Sequence, residues 1–281
     1  MMQVIKSFSQ KKVETMLIGV IGVAIFLFPL YWMFITSIKP MNELFVSPPL
    51  LFPDNPTWQP YYDNFIADHK MIKYIGNSFI IAIGTTVLTF LLAVPASYAL
   101  ARFNIKGIGF VLILLLAMQM LPTIMLAMPL FVFFAKLNML NSFSSLILAN
   151  TTNVLPFAIL VLRPFFKALP KGLEEAAEID GCNKFTTFFK IMLPCIKPGL
   201  LTIGVFSFLF SWSDFLFALT LTTDESIRPL TLGMYTFMGE YLTQWNQLMA
   251  VATISAVPII ILFIILQNYI VSGITSGAMK D

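Results

Sequence analysis

Six intervals of this chain, each longer than twenty residues, carry no charge or a single one, and they constrain the fold more than any other feature. They run from Thr15 to Ile38, Tyr74 to Ala101, Gly107 to Ala135, Leu137 to Leu162, Pro198 to Thr223 (interrupted only by Asp214) and Tyr241 to Met279. A helix needs about 20 mostly apolar residues to cross about 30 Å of hydrocarbon. Spanning strands would instead show segments of about ten residues with alternating polarity, and these runs are continuously apolar. Composition agrees: 58% of the 281 residues are hydrophobic and only 11% charged, with mean hydropathy +0.85. A soluble domain carries about 25% charged residues to cover its surface, so lipid must solvate much of this one. Disorder, collagen and a small disulfide scaffold are excluded.

The expected architecture is an all-α membrane protein with helices near 15–38, 74–98, 108–134, 143–166, 198–222 and 248–272. Pro29, Pro95, Pro122, Pro129, Pro156 and Pro258 fall inside these spans. Neighbouring helices can satisfy the carbonyls that such prolines free, so kinked helices are expected rather than interruptions. Lys and Arg mark the cytoplasmic side. With the N-terminus inside, that side holds Lys6, Lys11, Lys12, Arg102, Lys106, Arg163, Lys167, Lys171, Lys184, Lys190, Lys197 and Lys280, against Lys39, Lys70, Lys73, Lys136 and Arg228 outside. The reading is therefore a multi-pass protein of the cell (inner) membrane with both termini cytoplasmic. Residues 1–14 form an inner N-terminus, 15–273 the six-helix domain and 274–281 an inner tail. The first span ends in Tyr31-Trp32-Met33-Phe34 with no small-residue cleavage site, so it reads as a retained helix and not a signal peptide.

Cys182 and Cys195 share an inner segment, while the single His69 lies outside, so neither a disulfide nor a metal site is expected. No GxxxxGK[ST] loop or assembled acid, base and nucleophile set is present, so no catalytic residue is assigned. The outer loop 39–73 contains Pro40, Pro48, Pro49, Pro53, Pro56 and Pro60 interleaved with Trp58, Tyr61 and Tyr62. Proline fixes φ, which makes this loop stiff. It reads either as a cap on the bundle or as a docking surface for an outside partner, and the second outer loop, 224–246, is open to the same two readings.

The inner segment 167–197 is the most informative. Pro170 suits the first position of a helix, and Glu174, Glu175 and Glu178 fill the turns that follow. Leu173, Ala176, Ala177 and Asp180 stand at i, i+3, i+4 and i+7, and Gly181 can end the helix in a left-handed cap. Asn183 can cap a second helix in which Phe185, Phe188, Phe189 and Met192 repeat the helical spacing until Pro194 stops it. The unit exposes an apolar stripe beside an acidic patch and calls for a partner. The clustered acids disfavour its lying among anionic headgroups.

Glu175-Ala176-Ala177, three residues, Gly181, nine residues and then Ile191-x-Leu193-Pro194 resembles the EAA loop of the membrane subunits of binding-protein-dependent ABC importers. Nearly the whole chain is similar to the MalG-like permeases of the carbohydrate branch. The resemblance runs through Ser37-Ile38-Lys39-Pro40 with Glu43-Leu44-Phe45 and Pro48-Pro49, through Ser211-Trp212-Ser213-Asp214-Phe215, and through Gln267-Asn268-Tyr269-Ile270 onward to Ala278. Ser213 stands where the family often has Asn. The resemblance implies a type I importer (MetI-like) fold of six transmembrane helices. It also implies a second MalG/MalF-type permease, two cytoplasmic ABC ATPase subunits that hold ATP and Mg, an extracytoplasmic solute-binding protein and a carbohydrate substrate. No cofactor is implied in this chain and no nucleic-acid partner. On this resemblance Glu174, Glu175, Ala176, Ala177, Asp180, Gly181, Phe185 and Phe188 form the contact with the ATPase.

Polar residues inside spans are candidates for lining a path or for joining helices: Gln119 in the third, Asn150 and Asn153 in the fourth, Trp212 and Asp214 in the fifth. Hydrogen-bonding groups and aromatic faces suit a sugar better than charge does. The rival readings are a permease for another solute such as glycerol phosphate, an autonomous channel or carrier, and a membrane scaffold without transport. A channel or carrier would place ionisable residues deep in several spans, and only Asp214 is so placed.

Overall fold

The computed structural model describes the backbone of residues 2–239 and 243–278 and the side chains of 15–239 and 243–267. The side chains of Lys6, Lys11 and Lys12 and those from Asn268 onward, and the whole of Glu240, Tyr241 and Lys280, lie outside the described residues. Among the described residues four helices are long and apolar enough to cross a membrane: α1 (Met2–Ser37), α3 (Lys70–Arg102), α6 (Phe143–Ala168) and α13 (Trp245–Ala278). Between α1 and α3 lies the short α2 (Gln59–Tyr62). Two further spans are possible if bent pairs count as one crossing each, giving up to six. Large apolar side chains such as Phe26 (83% exposed) on α1 and Phe110 (72%) further along the chain face outward, as lipid-solvated positions do.

The third expected span is two helices, α4 (Ile108–Met120) and α5 (Thr123–Lys136), bent by 97°. Leu121 and Pro122 between them are both extended, with ψ of 127° and 132°. A proline pushes the residue before it out of the helical region. Here two consecutive extended residues turn the chain through nearly a right angle, whereas Pro29, Pro95, Pro129, Pro156 and Pro258 remain inside continuous helices as expected.

The fifth expected span, 198–222, is also not one helix. The segment after Gly181 forms α8 (Lys184–Thr187), a π turn (Phe188–Met192) and α9 (Leu193–Cys195); Ile196 then leaves helical geometry and α10 (Lys197–Trp212) follows at 77°. Residues 184–195 are continuously helical through the π turn, and the helix stops one residue beyond Pro194, before Ile196 with φ −101° and ψ 18°. Past α10, residues 213–215 break the chain before α11 (Leu216–Leu221), and α12 (Leu230–Tyr235) follows.

The chain divides into two units, Met1–Met71 with Met234–Val257 and Ile72–Gly233 with Pro258–Asp281. In the first, the proline-rich loop is a folded platform. Lys39 is 3% exposed; its ammonium donates to the Leu50 carbonyl and lies 4.5 Å from the centre of the Trp32 ring. Glu43, 7% exposed, accepts hydrogen bonds from the backbone amides of Asp54 and Asn55 at 3.0 and 3.1 Å and from the Asn55 side chain at 3.1 Å. The Tyr31 hydroxyl donates to the Leu51 carbonyl at 2.7 Å. A buried charge persists only when paired or hydrogen-bonded, so these two charged side chains serve as pins of the loop.

The second unit packs around α6. Near one end of this helix Ala158, Ile159, Leu162 and Phe166 join Ala93 and Val94 of α3, Met192, Ile196 and Ile203. Near the other, Leu146 and Ala149 meet Ile81, Phe134, Phe217 and Leu221. Gly199 permits a close approach of α10 to α6, since a Cβ there would lie 2.8 Å from the Phe165 ring.

Candidate functional site

The corner between α6 and α10 is built from local rules. The helix α7 (Gly172–Ile179) begins two residues after Pro170, later than expected, and the Pro170 carbonyl accepts from Leu173 N at 3.3 Å. Glu174 and Glu175 occupy its first turn, where negative charge suits the exposed amides. At its other end Gly181 N donates to Glu178 O at 3.1 Å and Cys182 N to Ala177 O at 2.9 Å. These are the paired bonds of a Schellman cap, and Gly181 holds the left-handed φ of +79° that this cap requires. The Asn183 side chain then accepts from Thr186 N at 2.8 Å and starts α8. A helix, a glycine corner and a second helix were all legible in the residues.

The expected apolar stripe is divided, and the expectation that the chain leaves it uncovered is corrected. Ala177 (2% exposed) and Met192 (0%) are buried in the second unit, and Phe188 packs with ring centroids 4.9 Å from Tyr98 and 6.3 Å from Phe166. The ends of α3 and α6 reach under the corner, so half of the stripe has an internal partner. The other half faces away: Ala176 and Phe185 (75%) are exposed, Phe185 pairs with Phe189 at 4.9 Å, and Ile179, which lay outside the expected stripe, stands beside them 87% exposed. Glu175, Ala176, Glu178, Asp180 and Gly181 share this outward surface. Glu174 is turned inward, where its carboxylate accepts from the Tyr98 hydroxyl at 3.0 Å and lies 3.4 Å from Arg102 Nε. Sequence reasoning missed Tyr98 and Arg102 as its partners. Arg102 entered only as one of the inner charges, and nothing in local spacing links it to a residue 72 positions away.

Of the five path candidates, the structure brings Asn150 and Asp214 together. The Asn150 amide lies 3.5 Å from the Asp214 carboxylate, at the outer limit of a hydrogen bond, and also donates to Leu146 O at 2.9 Å. Asp214 accepts the amides of Phe217 and Ala218, both at 3.2 Å, so its charge is spent on the first turn of α11. Trp212 is 3% exposed and held between Phe79 and Phe208, with centroids at 4.8 and 5.6 Å. Gln119 is exposed beside the α4–α5 bend, and Asn153 is half-buried on α6. A further polar fixture that sequence reasoning missed is Asn141, whose side-chain carbonyl accepts from Thr223 N at 2.7 Å and Asp224 N at 3.0 Å. Asn141 has a positive φ of 55°, a conformation that Asn tolerates better than most residues, so its residue type between two apolar segments was the one signal in the sequence. Cys182 and Cys195 are free thiols, and among the described residues no group of three His, Cys, Asp or Glu comes together.

Comparison with known proteins adds a lineage to this geometry. Residues 93–276 match the family model described as binding-protein-dependent transport system inner membrane component. The chain is 39% identical over 254 residues to the sulfoquinovosyl glycerol transport system permease protein SmoH of Agrobacterium fabrum, covering 90% of this chain and 89% of that protein. It is 34% identical over 269 residues to the trehalose/maltose transport system permease protein MalG of Thermococcus litoralis, covering 94% and 96%. In fold it is similar to a chain of a bacterial ABC transporter involved in the import of the acidic polysaccharide alginate, with a TM-score of 0.76 over 92% of this chain and 95% of that one, at 21% identity.

Proposed function

The chain belongs to the family of binding-protein-dependent transport system inner membrane components, non-enzymatic permease subunits that work with a second permease, an ATPase and a solute-binding protein, and from that premise we propose that it forms half of the path of an ATP-driven carbohydrate importer. The observation that carries the reading is the two-sided corner at α7. Its outward side presents Glu175, Glu178, Asp180 and the exposed Ile179 and Phe185, and its inward side is fastened through Glu174, Ala177 and Phe188 to the body of the second unit. A handle needs both properties: a surface for something else to grip and a rigid attachment to what must move. The relatives named for sulfoquinovosyl glycerol, for trehalose and maltose and, in Halalkalibacterium halodurans, for arabinooligosaccharides favour a carbohydrate as the solute.

In this reading the termini and the α7 corner are cytoplasmic, and two ATPase subunits bind ATP and Mg and grip the corner. The platform at residues 39–73 lies outside, where the solute-binding protein delivers its cargo. The residues of this chain contribute the lever and part of the wall of the path; the hydrolysis occurs in the partner. α6 enters the corner and α10 leaves it, so displacement of α7 must tilt both, and a coupling of two sites requires such a shared two-state element. Purification from membranes through a tag on this chain is expected to bring down an ATPase and a second permease. Isolation of the chain alone from membranes in which both are expressed would refute the reading. Thermal-shift measurements on the solute-binding protein against a panel of saccharides would identify the sugar, and a response to glycerol phosphate alone would overturn the carbohydrate assignment.

A further inference from the structure

The chain's covalent path delivers a push on α7 to α6, through residues 169–171, and to α10, through residues 180–196. It does not deliver one directly to α3, which the chain joins to α6 only through α4 and α5. A set of side chains closes this gap. Arg102, in the last turn of α3, has a side chain only 6% exposed. Its Nη2 donates to the carbonyl of Leu169, where α6 ends, at 2.9 Å, while its Nε stands 3.4 Å from the Glu174 carboxylate, a charge contact that is not aligned as a hydrogen bond. Tyr98, one turn earlier on the same face of α3, donates to that carboxylate at 3.0 Å, and its ring packs against Phe166 of α6 at 5.4 Å. In return Arg163 of α6 donates from Nε to Leu100 O of α3 at 3.1 Å.

We propose that Arg102 is a positioning residue which, with Tyr98 and Glu174, locks the end of α3 to the α6–α7 junction, so that movement of α7 displaces three helices instead of two. The inference rests on the reading of α7 as the handle. Its physical basis is that a guanidinium presents a planar fork of donors and can hold the Leu169 carbonyl and the Glu174 carboxylate at once in one geometry. Removing Glu174 leaves the buried Arg102 guanidinium without its counter-charge, so the joint is not one that opens freely during movement. A flexible surface pair would transmit little; this one is shielded at Arg102, and each side also makes a hydrogen bond, Arg102 to Leu169 O and Tyr98 to Glu174.

The test uses the complete assembly of this chain with its ATPase, second permease and solute-binding protein in proteoliposomes. Solute taken up per ATP hydrolysed is measured and normalised to the amount of ATPase that co-purifies. Arg102→Gln and Glu174→Gln are each expected to lower uptake per ATP about tenfold, in the range of ordinary coupling energies, while the ATPase still co-purifies. Arg102→Lys, which keeps the charge and loses the fork, is expected to recover part of the loss. Tyr98→Phe removes one hydrogen bond and leaves the charge pair, and is expected to lower the ratio about threefold; it decides the matter if the Arg102 variants fail to insert. An unchanged ratio in Arg102→Gln, or in Tyr98→Phe where that variant decides, overturns the inference and leaves the handle intact. So does a loss that merely follows the amount of assembled complex. Absence of any ATPase from the wild-type complex overturns the handle and this inference together.

Discussion

The carboxylate of Asp214 caps the first turn of α11 and stands 3.5 Å from the amide of Asn150 on α6. The one acid in the fifth apolar interval therefore holds a break in the chain, and the amides of Phe217 and Ala218 supply its partners. Asp214→Ala is expected to lower the stability of the protein by about 0.5–2 kcal/mol, the usual cost of a lost helix cap, and Asp214→Asn by less because an acceptor remains. Thermal unfolding of the purified assembly measures both. Equal melting temperatures for wild type and Asp214→Ala would show that the cap contributes nothing.

Gly181 has nothing within 4 Å of where a Cβ would stand, so a substitution there acts through the backbone alone. Gly181→Val must hold φ near +79° at a cost of about 1–2 kcal/mol or release the Schellman cap. The expected outcome is an inserted protein whose ATP hydrolysis no longer drives uptake, with Gly181→Asn closer to wild type. Full uptake by Gly181→Val would remove the corner from the mechanism.

Glu175 faces outward from α7, whereas Glu174 faces inward. Reversing the charge at Glu175 should weaken the grip of the ATPase without disturbing the fold, so Glu175→Lys is expected to co-purify with less ATPase at an unchanged melting temperature. Pull-down at several salt concentrations makes the comparison. A loss of melting temperature equal to that of Glu174→Lys would contradict the division of the two faces.

Glu43 accepts three hydrogen bonds from Asp54 and Asn55 inside the platform at residues 39–73. Glu43→Ala leaves those donors without their acceptor, at about 1–3 kcal/mol for each buried group, and should open the segment 44–56 to proteases. Limited proteolysis of vesicles with this face exposed reads the result. Cleavage no faster than wild type would mean that the loop's stiffness comes from its prolines alone.

Gly199 lets α10 approach Phe165, and a Cβ there would meet the ring at 2.8 Å. Gly199→Val is expected to destabilise the protein by about 1–3 kcal/mol through overpacking. A second change, Phe165→Leu, should recover part of the loss in a double-mutant cycle of melting temperatures, and strict additivity of the two changes would exclude this contact as the cause.

The amino-acid sequence by itself determined where apolar segments run and where the α7 corner turns. Hydropathy needs only a residue's own preference for lipid, and the Gly181 and Asn183 caps need only neighbours within a few positions. Tertiary structure alone decided which face of α7 is fastened and which is free, because Glu174 is claimed by Tyr98 and Arg102 from another helix. It also decided that Lys39 and Glu43 are buried, since their partners are the backbone groups of a loop that must already be folded. The direction of the chain at Leu121–Pro122 lies between the two cases. The proline announced a disturbance, but whether it would be a kink or a bend of 97° depended on two consecutive extended residues, and hydropathy records nothing about backbone direction.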